Sequence, residues 1–309
     1  MPIIFCLYFV WSASFPLGKM ALAYSPPLFL TAVRMLVAGL ILLLFLFIRK
    51  PQELKITREQ FLPILLFAFF AIYATNAFEF WSLKTLSAAK TCAIYSLSPF
   101  LSAFFSWLHF GEKMNGRKWL GFAIGLCGIV PILLLQKGAG ELLTTIPFLS
   151  WPELTMLGAV ISTVYGWIVM RWVVKEKSSS HSFLTTNAFG MTLGGIVSLG
   201  HSLCVESWDS FPLEATSLKP FLFIVLLMII LSNLIGYNLH SFLLKRFTAT
   251  LLSFLGLLTP VFASLISWLL LGEPLSSAIF LSTAIVCIGA WFVHSAELKQ
   301  GYLVRSNDA

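Results

Sequence analysis

The chain has 309 residues, of which 58% are hydrophobic, 15% aromatic and 11% charged, with a formal net charge of +7 and a mean hydropathy of +0.90. A soluble domain carries roughly a quarter of its residues as charges, so this composition excludes a water-soluble fold and points to a polytopic membrane protein. The basic excess sits in the links between apolar stretches, which accounts for it with no nucleic-acid partner.

Ten apolar segments follow one another, at 3–23, 27–48, 61–83, 86–108, 118–135, 151–173, 183–204, 220–242, 248–271 and 275–295. A span needs about 20 mostly apolar residues, and only helices or closed barrels satisfy every backbone polar group in lipid. The runs are too continuous for alternating barrel strands, so the expected class is an all-α membrane protein with ten transmembrane helices. The first run ends near Ala21-Leu22-Ala23, which looks like a signal-peptidase site. It lacks a basic stretch in front and carries Lys19 beside the site, so it reads as a permanent span. Pro26-Pro27 turns it into the second helix, and the tail 297–309 is polar. Fourteen link lysines and arginines fall on one side, against Lys84, Lys137 and Lys219 on the other. This bias places both termini in the cytoplasm.

The chain repeats itself. Residues 98–112 read SPFLSAFFSWLHFGE and residues 259–273 read TPVFASLISWLLLGE, six identities in fifteen positions at an offset of 161. The offset pairs the fourth helix with the ninth, so each half holds five helices, residues 1–135 and 151–296, and the second enters the membrane in the opposite sense. Such inverted repeats are a transporter architecture. Pro99 and Pro260 occupy the same place in the two halves. Read as interior prolines, each removes a backbone hydrogen bond, leaving either a static kink or a hinge.

Trp11 with Lys19, Arg34 followed by Ala38-Gly39, the two Pro…Gly-Glu segments, and Gly121, Gly125 and Gly128 together resemble the EamA-type members of the drug/metabolite transporter superfamily. The resemblance covers nearly the whole chain, with Ser12 where the family often has Gly. It implies a bacterial inner-membrane carrier of small organic metabolites, with a central cavity lined mainly by helices 1, 3, 4, 6, 8 and 9. It does not imply a particular substrate.

Charges inside a bilayer are costly and mark function. Lys19, Arg34, Glu79 and Lys90 all fall toward the outer half. Lys19 and Lys90 have the alternative of snorkelling to the headgroups, with Glu79 bridging to Lys90. Arg34, about 10 Å into its helix at 1.5 Å per residue, is the expected anchor for a substrate anion or for Glu79. Trp11, Trp81, Tyr95, Tyr165 and Tyr237 supply aromatic surface, and buried hydroxyls need partners. Asn76 and Asn233 complete the expected site, the alternative being hydrogen bonds between helices. This mixture suits a zwitterion with a flat or apolar part, such as an amino acid or S-adenosylmethionine, which some family members carry. The rivals are export of amino acids or drugs, a passive channel, and a membrane signalling or assembly protein without transport. No catalytic motif, nucleotide-binding loop or metal-ligand spacing is present, so neither an enzyme nor a cofactor is expected. Coupling to protons or to an exchanged solute is left as the power source, and the sequence specifies no oligomeric state.

Overall fold

The computed structural model describes residues 2–86, 91, 94–135, 150–175, 182–208, 218–271 and 277–301, and all regular structure among them is helical. The first apolar run is two helices, α1 (Pro2–Ser12) and α2 (Ser14–Leu22), broken at Ala13. Pro16 has no N–H for the Ser12 carbonyl, and its ring crowds that carbonyl, so the helix cannot run straight through. The Ser12 hydroxyl donates to the Tyr8 carbonyl and lies 3.1 Å from the Thr259 carbonyl.

Helix α3 (Pro27–Arg49) begins on a proline, where a missing N–H costs nothing. Its first amides donate to the Glu206 carboxylate, Leu28 at 2.8 Å and Phe29 at 3.0 Å. A negative charge there also meets the positive end of the helix dipole. A 3-10 turn (Pro51–Leu54) follows, then α4 (Arg58–Phe67), a π turn (Ala68–Ala74) and α5 (Thr75–Leu83). Thr75 closes the π turn with its amide and hydroxyl on the Phe70 carbonyl, the hydroxyl at 2.7 Å. Helix α6 (Ser98–Phe110) stops at Gly111, whose φ of 65° is the left-handed conformation that favours glycine.

Beyond it lie α7 (Gly116–Leu135), α8 (Trp151–Lys175) and α9 (Phe183–Val205). Then come α10 (Leu218–Met228), a second π turn (Ile229–Tyr237) and α11 (Asn238–Leu243). Helix α12 (Ala249–Leu255), a 3-10 turn (Gly256–Leu258), α13 (Thr259–Leu271) and α14 (Ser277–Lys299) complete the chain. Among the described residues, six helical runs are long and apolar enough to cross a membrane, from Ile3–Leu22 to Leu218–Leu243.

Three sequence expectations change. The runs 3–23, 61–83, 220–242 and 248–271 are not uniform α-helices, being interrupted by a kink, a π turn or a 3-10 turn. Pro99 and Pro260 do not lie inside helices; each stands in the first turn of a new segment, α6 or α13, where no interior hydrogen bond is lost. Glu297, assigned to the polar tail, is buried within α14. The two π turns start at 68 and 229, and α6 and α13 start at 98 and 259, so both pairs share the 161-residue offset.

Helix α3 packs along α9 and α7 along α14. Helix α8 lies against α5 and the first π turn, α1 against α13 and the second π turn, and α12 against α6. Glycine permits close crossings. A Cβ on Gly121 would sit 2.8 Å from the Gly289 carbonyl, so the α7 and α14 backbones touch. Small residues at such contacts let helices approach where lipid offers no hydrophobic drive.

Candidate functional site

A cavity opens where the helix breaks converge. It is lined from α1, α2, α3, α5, α8, α11 and α12, from the second π turn, and from residues 95–98 and 256–259. Arg34, in the first third of α3 and 3% exposed, donates from Nη2 to Asn76 Oδ1. Asn76 in turn donates to the Ile72 carbonyl at 2.7 Å, which orients its amide with the oxygen toward the guanidinium. The guanidinium carbon stands 5.2 Å from the Phe80 ring centre, and Nε has no hydrogen-bond partner among the described residues. No carboxylate among those residues lies within ion-pair distance of Arg34. Tyr95 donates to Glu79 Oε2 at 2.6 Å.

Aromatic rings form the rest of the wall. Trp11 lies 5.5 Å from Trp167, 5.9 Å from Tyr237 and 5.0 Å from His240, centre to centre. Trp167 and His240 are 4.1 Å apart. The Tyr237 hydroxyl donates to the Ala71 carbonyl at 3.1 Å, tying the second π turn to the first. Phe15 and Tyr95, 5.9 Å apart, bring the aromatic and charged groups together.

Of the residues expected from sequence, Trp11, Arg34, Asn76, Glu79, Tyr95 and Tyr237 line this cavity. Four lie elsewhere. Asn233 is buried beside α3 and donates to Met35 Sδ at 2.8 Å. Tyr165 packs on Phe70, Phe105 and His109. Lys19 and Trp81 are exposed. Lys90 falls outside the described residues. Sequence reasoning missed Trp167 and His240. His240 follows Tyr237 by three, so helical spacing to an expected residue could have found it; no expected residue stands three or four positions from Trp167.

Of the two partners expected for Arg34, a substrate anion or Glu79, the second is not its hydrogen-bond partner here; Asn76 is. Among the described residues, two of the link cations are not solvated. Arg171 on α8 is buried and pairs with Glu112 just past α6, its guanidinium 4.5 Å from the Phe110 ring centre. Lys118 on α7 is buried 3.3 Å from Glu297 on α14, which also accepts from the Thr248 hydroxyl. These pairs join helices of the two halves of the chain.

The profile of the EamA-like transporter family matches residues 1–134 and 150–295. The chain is 37% identical over 308 residues to the S-adenosylmethionine/S-adenosylhomocysteine transporter of Chlamydia muridarum (strain MoPn / Nigg), covering 98% of this chain and 94% of that protein. It is 36% identical over 306 residues to the transporter of the same name from Chlamydia trachomatis serovar L2, covering 98% and 91%. A solved crystal structure superposes with a TM-score of 0.75 at 19% identity, over 96% of this chain and 97% of that one. That likeness is one of fold.

Proposed function

The chain belongs to the EamA-like transporter family, and from that premise we propose that it carries S-adenosylmethionine and S-adenosylhomocysteine across the bacterial inner membrane. It is a multi-pass membrane transporter. The substrate is taken from the two chlamydial relatives, and the cavity suits it chemically. S-adenosylmethionine has a carboxylate, an ammonium, a sulfonium and a purine. Arg34 offers a guanidinium for the carboxylate, Glu79 a counter-charge for the cations, and the rings around Trp11 a flat apolar wall.

The observation that carries this reading is Arg34. A charged guanidinium buried at membrane depth is costly unless paired, and Arg34 has an amide, a ring face and a free Nε in place of a carboxylate. A ligand carboxylate completes it.

Alternating access between two inverted five-helix repeats, residues 1–135 and 151–296 with a tail at 297–309, is the mechanism we infer. It is supported by the shared offset of the π turns and of the α6 and α13 starts. The packing of the third apolar run on the sixth and of the eighth on the first also exchanges when the two halves are matched run by run. The broken helices fall around the cavity, as in carriers whose sites use discontinuous helices. The Arg171–Glu112 and Lys118–Glu297 pairs then close the cytoplasmic end in this conformation. Lysine and arginine placement puts both termini on that side.

The test is exchange in proteoliposomes. Vesicles preloaded with S-adenosylhomocysteine should take up labelled S-adenosylmethionine faster than empty vesicles, with saturation. Uptake no greater than in protein-free vesicles would overturn the substrate assignment.

A further inference from the structure

We propose that His240, set among Trp11, Trp167 and Tyr237, is the base-recognition residue of the cavity, stacking with those rings against the purine and hydrogen-bonding its edge. The inference rests on the S-adenosyl reading and deepens it. Buried polar atoms ordinarily find partners, and each exception asks for an explanation. Among the described residues, three such unpartnered atoms belong to cavity-lining side chains: Ser14 Oγ, Arg34 Nε and His240 Nδ1. Arg34 is the charged group of the site. His240 is 3% exposed and sits in the aromatic group, 4.1 Å from Trp167 and 5.0 Å from Trp11.

An aromatic cluster alone is ordinary packing. This one differs because its polar member lines a cavity and has an unmet ring nitrogen. An imidazole nitrogen donates or accepts according to its tautomer; Nδ1 is covered in this conformation, and a turn of the ring toward the cavity lets it serve either a purine ring nitrogen or the exocyclic amine. Stacking a base on aromatic side chains is favourable for any base. The hydrogen bond is what turns a flat wall into a site that selects a purine, because a site built to make one rejects ligands that cannot. A sulfonium held over the same rings is the competing occupant. It places the demand on charge and leaves Nδ1 unused.

The test is inhibition of S-adenosylmethionine exchange by three competitors. One is 5′-methylthioadenosine, which has the base without the amino acid. The second is its analogue with indole in place of adenine, equally flat but without edge donors or acceptors. The third is S-methylmethionine, which has the amino acid and sulfonium without the base. In the wild type, the adenine compound should inhibit about tenfold or more strongly than the indole compound. His240→Phe, which keeps a ring and removes the nitrogens, should bring the two within about threefold while changing S-methylmethionine inhibition little. Equal inhibition by the adenine and indole compounds in the wild type overturns the proposal without any variant. So does a folded His240→Phe protein in which 5′-methylthioadenosine and S-methylmethionine weaken in parallel. If the wild type exchanges no S-adenosylmethionine, the substrate reading fails first and this proposal falls with it.

Discussion

Arg34 and Asn76 are set in place before any ligand arrives. The Ile72 carbonyl holds the Asn76 amide, Asn76 holds one arm of the guanidinium, and Phe80 lies beside its face. Preorganisation of this kind lowers the entropy lost on binding. Arg34→Ala should reduce affinity for S-adenosylhomocysteine by about 2–5 kcal/mol, the cost of removing one partner of a buried charge pair. Titration calorimetry on well-folded protein decides it, and unchanged affinity removes Arg34 from the site. Arg34→Lys should be poor as well, since a point ammonium cannot replace a planar fork. Asn76→Asp is the sharper experiment. It places a carboxylate on Arg34 from within the protein, so ligand affinity should fall although the fold gains an ion pair. Affinity that holds or rises in Asn76→Asp argues that the ligand carboxylate lies elsewhere.

At the scale of elements, the two π turns do what straight helices could not. A π turn rotates the residues that follow relative to those before, and such turns cluster at functional sites. Thr75, Asn76 and Glu79 follow the first, and Tyr237 and His240 lie at the end of the second. The second turn is also where Trp11 is seated. A Cβ on Gly236 would come 2.6 Å from Trp11 Nε1, so Gly236→Ala should displace the indole. Overpacking of this kind costs about 1–3 kcal/mol, and the expected result is a lower melting temperature together with slower exchange. A mutant with wild-type exchange would show that the position of Trp11 is not critical. Pro99 and Pro260 stand beside breaks, not inside helices, so their substitution asks about hinging more directly. If the breaks flex during transport, Pro99→Ala and Pro260→Ala should slow turnover more than they weaken binding. Unchanged flux in both leaves the breaks static.

At the scale of the molecule, two buried ion pairs join the halves at one end. Removing one partner of a buried pair strands a charge and costs about 3–5 kcal/mol. Glu112→Gln should therefore destabilise this conformation and raise the reactivity of a cysteine placed at that end toward a water-soluble maleimide. Unchanged labelling would make the pair a structural bridge and not a gate. Orientation is checked separately. Reporter fusions within 51–58 and 176–181 should read cytoplasmic, and those within 137–150 and 206–218 external. Any two that disagree overturn the inverted arrangement.

Composition and apolar run length alone determined a helical protein of the bilayer, because no other backbone arrangement satisfies its hydrogen bonds in lipid. The 161-residue offset, the charge bias of the links and the places of Trp11, Arg34, Asn76, Glu79, Tyr95 and Tyr237 on the cavity wall were also legible, since a costly charge or a buried hydroxyl announces itself wherever it lies along a chain. Partners were not legible. Arg34 takes an amide for its neighbour, Arg171 and Lys118 are buried with glutamates 59 and 179 positions away in sequence, and His240 meets Trp11 from the far half of the chain. Helix breaks decide these meetings. Pro16 marks the first break, but the first π turn holds neither proline nor glycine, and the second has no proline and a glycine, Gly236, only near its end. Only the packing of one half against the other selects the wider turn, and with it the side chains that face the cavity.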